Sequence, residues 1–191
     1  MTDSTDLLDL QKRQQEHDEG HHRDVYTLPY PDRMNHYVLH FSKYVGRLSR
    51  DYADEETRME QLEKTLADSF IVALAAANTL NLDLQAQLEE MFGIEAEGVA
   101  EWAEQLDPAD DPMDSEEVQD WLFQRMAAPA GSMSNAMESL DHMEPMNTRE
   151  LLEEETVEIV SDLLIAAENL DVDLEALLDD RWTKIEEESI L

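Results

Sequence analysis

Eight consecutive apolar residues, Phe70-Ile-Val-Ala-Leu-Ala-Ala-Ala77, close a stretch that is otherwise patterned as a helix. Upstream of them Met59, Leu62 and Leu66 recur at three- and four-residue steps, so the spacing predicts one helix from about Asp54 to Leu80. It is one-sided at first and then apolar on every side. A helix of that kind must be covered around its whole circumference, which places it at the centre of a bundle or a dimer. Other helical patterns surround it. Met34, Tyr37, Val38, Phe41, Val45 and Leu48 predict an amphipathic helix from Asp32 to about Tyr52. Asp83 is suited to cap the start of the next helix and Gly93 to end it. Further helices are expected from about Thr148 to Leu170 and from Asp173 onward. The expected fold class is all-α, a helical bundle.

The intervening stretches are read differently. Residues 1–31 are polar and end in Leu28-Pro29-Tyr30-Pro31, which predicts a loose tail or arm, with a short helix near Leu7, Leu8 and Leu10. Residues 93–130 read as a connector with two short helices, around Trp102 and Trp121, on either side of the acidic loop Asp107-Pro-Ala-Asp-Asp-Pro112. Pro129 and Gly131 are expected to break the chain again.

Composition bounds the environment more than the chemistry. The chain of 191 residues carries 47 Asp and Glu against 13 Lys and Arg, a formal net charge of -34, while hydrophobic residues make up an ordinary 42%. A core is therefore affordable and disorder does not account for the charge. Self-repulsion on this scale opposes compaction in dilute buffer, whereas molar salt shortens the Debye length to roughly 3 Å. Only Lys12, Lys43, Lys64 and Lys184 are lysines. Acid-rich, lysine-poor composition resembles proteins of halophiles that keep a salt-rich cytoplasm, and a cytoplasmic location is expected. The acids occur in every segment, where a mimic of nucleic acid would confine them to one face. No basic stripe exists to neutralise phosphates, which argues against nucleic acid as a partner. The chain has no cysteine, hence no disulfide framework and no thiolate metal site. The polar stretch Met1 to Glu16 is not a signal peptide, and no apolar run approaches the roughly 20 residues of a membrane span.

A shift of ninety residues, without gaps, aligns residues 60–92 with 150–182. Leu74, Ala76, Ala77, Leu80, Asp83 and Leu84 recur as Leu164, Ala166, Ala167, Leu170, Asp173 and Leu174, among other identities. Both copies read as a long helix, a short polar turn, an Asp cap and a following helix, which points to tandem duplication of a helical hairpin. Two unrelated helices of similar composition are the competing account.

Two stretches resemble the MazG-like all-α nucleoside triphosphate pyrophosphohydrolase superfamily. Leu39-His-Phe-Ser-Lys-Tyr-Val-Gly-Arg-Leu48 resembles the family's first helix. The stretch Leu66 to Leu84 resembles a later helix and its turn, and Leu170-Asp-Val-Asp-Leu174 repeats that turn. The resemblance implies a bundle of two MazG-like halves, residues 32–92 and 131–191, fused where the family uses a dimer partner; further homo-oligomerisation stays open. It also implies hydrolysis of a nucleoside triphosphate to a monophosphate and pyrophosphate, with Mg²⁺ held by carboxylates one helical turn apart.

The metal-binding pattern of that family is only partly present. Tyr44 and Arg47 stand where the first helix would carry Glu-x-x-Glu, and Thr65 and Asp68 where a later helix would carry Glu-x-x-Asp. In the second copy Glu155 and Glu158 take the latter positions, with Asp162 one turn on. Glu155, Glu158 and Asp162 fall within a wheel sector of about 60°. Asp68, Glu155, Glu158 and Asp162 are thus the candidate Mg²⁺ ligands, and Arg47 the candidate contact to a nucleotide phosphate. A solvated acidic face is the plainer account of the second-copy acids. Two functions stay open: a Mg²⁺-dependent pyrophosphohydrolase, and an inactive MazG-like module that binds a nucleotide or a protein. His17, His21 and His22 could bind a transition metal, His17 and His21 being one turn apart, and His36 and His40 on the first helix could replace its lost carboxylates. Solvation of the first group and helix packing of the second are the simpler readings. The methionines Met133, Met137, Met143 and Met146 read as adaptable packing.

Overall fold

The computed structural model describes residues 5–106 and 112–188. The acidic loop at 107–111 lies outside them. Among the described residues the chain is all-α, with helices α1 (Leu7–His21), α2 (Arg23–Tyr26), α3 (Tyr30–Leu48), α4 (Glu55–Leu80), α5 (Leu84–Phe92), α6 (Val99–Leu106), α7 (Ser115–Asp141), α8 (Thr148–Asn169) and α9 (Leu174–Glu188).

The centre is a four-helix bundle of α3, α4, α8 and α7, in that cyclic order. Polar contacts at the helix ends fix their directions. Tyr37 in the first half of α3 interacts with Thr79 near the end of α4. Gln119 at the start of α7 donates to the carbonyls of Leu48 (2.8 Å) and Arg50 (2.7 Å) at the end of α3. Arg149 at the start of α8 donates to the Leu80 carbonyl that ends α4. The amide of Met113, just ahead of α7, donates to Asn169 at the end of α8 (2.9 Å). Every cyclic neighbour is therefore antiparallel, the up-down arrangement of a bundle. Every residue from Thr65 to Ala77 on α4 is buried. That follows from its apolar circumference: α3, α7 and α8 cover one side, and α1 and α9 the other.

The two hairpins α4–α5 and α8–α9 share their turn bond for bond at the ninety-residue spacing. Asn81 and Asp171 both adopt left-handed backbone, with φ of 55° and 52°. Leu82 N–H returns to the Ala77 carbonyl (2.9 Å) and Val172 N–H to that of Ala167 (3.1 Å), which satisfies the last carbonyls of each long helix. Asp83 and Asp173 then accept from the amides of Ala86 (3.1 Å) and Ala176 (3.0 Å), capping the short helix that follows.

Two segments differ from expectation. The arm read as loose is the helix α1, capped by Asp6, and it lies along α4. Its side chain Gln11 bonds to Asn78 (3.1 Å), the Leu82 carbonyl (2.7 Å) and the Leu84 amide (3.1 Å). Gln14 accepts from the indole of Trp182 on α9 (2.7 Å). Polar residues can thus be core residues when a neighbouring helix turn offers unsatisfied backbone groups. The second difference is α7, which runs unbroken through Pro129 and Gly131 and so crosses the expected boundary at 130/131. Long flanks packed on α3 and α8 outweigh the hydrogen bond that proline removes, worth up to about 3 kcal/mol in an exposed helix interior. No single helix among the described residues is long and apolar enough to cross a membrane.

Candidate ligand-binding cavity

The candidate residues fall into two separate places. Asp68, on the buried face of α4 and 6% exposed, is clamped by two arginines. Arg47 of α3 donates to its Oδ2 and Arg181 of α9 donates to its Oδ1, each at 2.6 Å. Glu155, Glu158 and Asp162 lie on α8, on the side facing α7. Arg125 of α7 reaches Glu158 (3.1 Å) and donates through Nε to Asp162 Oδ1 (2.9 Å). Glu155 interacts with Ser132, also on α7.

Burial dominates the electrostatics of the α8 group. It raises the Asp162 carboxyl to about 6 against the opposing pull of Arg125. The second oxygen of Asp162 is buried without a hydrogen-bond partner, which suits a carboxyl that holds a proton easily. Burial also raises Glu155, and Glu158 adds to the effect.

These carboxylates do not fit a Mg²⁺ site as they stand. Both oxygens of Asp68 are taken by guanidinium groups, and Arg125 occupies the place between Glu158 and Asp162 where a cation would sit. Among the described residues, no three His, Asp or Glu side chains are grouped to hold a metal ion. The four candidate carboxylates thus divide between two places, with Arg47 and Arg181 at Asp68, Arg125 at Glu158 and Asp162, and Ser132 at Glu155. The helical wheel correctly puts the three α8 acids on one side, but it cannot show that an arginine faces them.

The surroundings of Asp68 form a cavity of about 350 Å³. That is near the lower end of the roughly 300–1,000 Å³ usual for small-molecule sites. Helix α3 supplies one wall with His36, His40, Lys43, Tyr44 and Arg47; α4 supplies Ile71, Val72 and Ala75; α9 supplies Arg181 and Ile185; Asp18, His22 and Asp24 come from α1, α2 and the link between them. The helical period explains the α3 wall, because steps of three and four keep these residues on one side. Arg47 lies over the Tyr44 ring (5.1 Å to its centroid), and Tyr44 hydroxyl and His40 Nδ1 are 3.0 Å apart. His36 and His40 rings are 4.5 Å apart.

Burial, with Lys43 and His36 nearby, lowers His40 to about 4, so it is neutral at pH 7. Burial and Arg47 likewise hold Lys43 below the usual lysine range. Burial is the leading cause of both shifts, and neighbouring positive charge from Lys43 and Arg47 adds to it. In a chain of net charge -34, three of 13 basic residues converge here. Lys43 and Arg181 were not singled out by sequence. Arg181 is followed by the buried Trp182, and only the docking of α9 on α4 turns it toward Asp68.

The other histidines are placed differently from expectation. His17 is 6% exposed rather than solvated, with its ring 5.1 Å from that of His21 and 5.2 Å from that of His22. Neither His17 nitrogen has a hydrogen-bond partner. Met133 and Met137 are core residues, whereas Met143 is 90% exposed.

Comparison with protein-family models, with curated proteins and with solved structures gives no significant match.

Proposed function

We propose that this protein is a MazG-like nucleotide-binding module that holds its ligand's phosphate in the α3–α4–α9 cavity and does not depend on Mg²⁺. The observation that carries this reading is the convergence of Lys43, Arg47 and Arg181 on one partly apolar cavity of a strongly acidic chain. Arg47 and Arg181 each bond Asp68 through one nitrogen, and a guanidinium has five N–H donors, so donors remain for an anion. Their planar forks match phosphate oxygens, and the nearby Tyr44 ring restrains Arg47. Ile71, Val72 and Ala75 offer an apolar surface for the ligand's body. The pyrophosphohydrolase reading is the weaker one, because Asp68, Glu158 and Asp162 among its candidate metal ligands are engaged by arginines. The acidity supports a salt-rich cytoplasm as the setting.

Calorimetric titration of the intact protein with nucleotides, in molar KCl without divalent metal, tests the proposal. Saturable binding is expected, and Arg47→Gln should weaken it about tenfold or more, the loss of one charge-assisted contact. Binding untouched by Arg47→Gln would overturn the assignment of the cavity. Release of pyrophosphate from nucleoside triphosphates in Mg²⁺ would overturn the non-catalytic reading.

A further inference from the structure

The charged residues of the cavity are sorted along α3 rather than mixed. At a rise of about 1.5 Å per residue, His36 and Arg47 stand roughly 16 Å apart along that helix. At the Arg47 end are Lys43, Arg47 and Arg181, with Asp68 between the two arginines. Three cations against one carboxylate give that pole a formal charge of +2. At the His36 end are Asp18, Asp24 and the imidazole of His22, with no Lys or Arg in the lining, a formal charge of -2. The histidines between them register the same order. His36 is influenced by Asp24 and Asp18 as well as Lys43, whereas His40 is influenced by Lys43, Asp68 and Arg47. Between the poles lie aromatic and apolar side chains: Tyr37, Tyr44, Ile71, Val72 and Ala75.

From this sorting, and resting on the nucleotide-binding reading above, we infer that the cavity takes a dipolar ligand with one phosphate monoester at the Arg47–Arg181 pole and an amino group at the Asp18–Asp24 pole. A phosphate monoester carries close to two negative charges at pH 7, which balances the basic pole. A triphosphate brings additional negative charge that this pole does not neutralise. The surplus would face Asp18 and Asp24 inside the cavity, where salt screens charges less than at the open surface. An amino group at the other pole donates to carboxylates, where a carbonyl oxygen would meet them acceptor to acceptor. The acidic pole therefore selects for the donor end of the ligand by repelling the alternative.

Titration of the intact protein in KCl with AMP, IMP, ATP, inorganic phosphate and phosphoethanolamine tests the inference. IMP differs from AMP in carrying an oxygen where AMP carries the amino group. AMP is expected to bind at least tenfold more tightly than ATP and about tenfold more tightly than IMP. Lys43→Gln, at an exposed position outside the Asp68 pairs, should weaken AMP and inorganic phosphate alike. Asp24→Asn should weaken AMP and leave inorganic phosphate unchanged. Circular dichroism of each variant confirms folding. ATP binding as tight as AMP, or IMP as tight as AMP, overturns the dipolar assignment while leaving a nucleotide site in place. Phosphoethanolamine is too short to span the two poles, so its binding as tightly as AMP would overturn both the dipolar assignment and the nucleotide reading. No binding of any of the five overturns both.

Discussion

Two buried titratable residues pull the pH dependence of stability in opposite directions. Asp162 has its folded value raised to about 6, so between its unfolded value near 4 and pH 6 the folded state binds the extra proton. Its contribution is present at low pH and is lost as pH rises through 6. His40 has its folded value lowered to about 4, so over nearly the same window the unfolded state binds the extra proton, and stability is lost as pH falls. Asp162→Asn keeps an oxygen to accept from Arg125 and removes the titration. The variant should be more stable than the parent above pH 6, by about 2 kcal/mol as an order of magnitude, with the difference vanishing near pH 4. Urea melts of both proteins at pH 4, 5, 6 and 7 in constant KCl would check it. A difference independent of pH would mean that Asp162 titrates alike in the folded and unfolded states.

At the scale of elements the ninety-residue repeat has a physical counterpart in its turns. Asn81 and Asp171 sit in left-handed backbone where glycine carries no Cβ penalty. Asn81→Gly and Asp171→Gly should each stabilise the fold by about 0.5–1 kcal/mol, equally within that range, and the two should add because they lie in separate hairpins. Thermal melts of the single and double variants would test this; destabilisation by either would show that its side chain holds the turn. Legibility at this scale was uneven for identifiable reasons. Asp83 and Gly93 were readable as helix signals because capping is local chemistry. Of helix α1 only the start near Leu7, Leu8 and Leu10 was readable, because its buried side includes Gln11, Gln14 and His17, polar residues that become core only against the turn after α4 and Trp182 of α9. Helix α7 was misread at Pro129 because proline's local cost is visible in sequence and the packing that offsets it is not.

For the whole molecule, charge is the dominant quantity. A formal charge of -34 on 191 residues repels itself over distances comparable with the bundle when the Debye length is about 30 Å, and hardly beyond adjacent side chains at roughly 3 Å. Helical content measured by circular dichroism should therefore fall on dialysis from molar KCl into about 10 mM salt. Equal stability in the two would remove salt adaptation as the account of the composition.

The opening feature, the apolar run ending at Ala77, was decisive for architecture because burial demand is a property of a helix's own side chains. It required a surrounded helix, and α4 is surrounded. Helical periodicity likewise indicated the all-α class, and local capping chemistry located Asp83, Asp173 and Gly93. The candidate site was a different matter. Sequence spacing placed Glu155, Glu158 and Asp162 together and singled out Asp68 and Arg47, since those relations are internal to a helix or rest on the family resemblance. It could not reveal that Arg125 faces the first three or that Arg181 joins Arg47 at Asp68, because those contacts join residues 37 and 113 positions apart. Carboxylates that look like metal ligands along one helix become ion-pair partners once another helix brings its arginine. Helical periodicity decided which residues could act together, and tertiary packing decided what each of them meets.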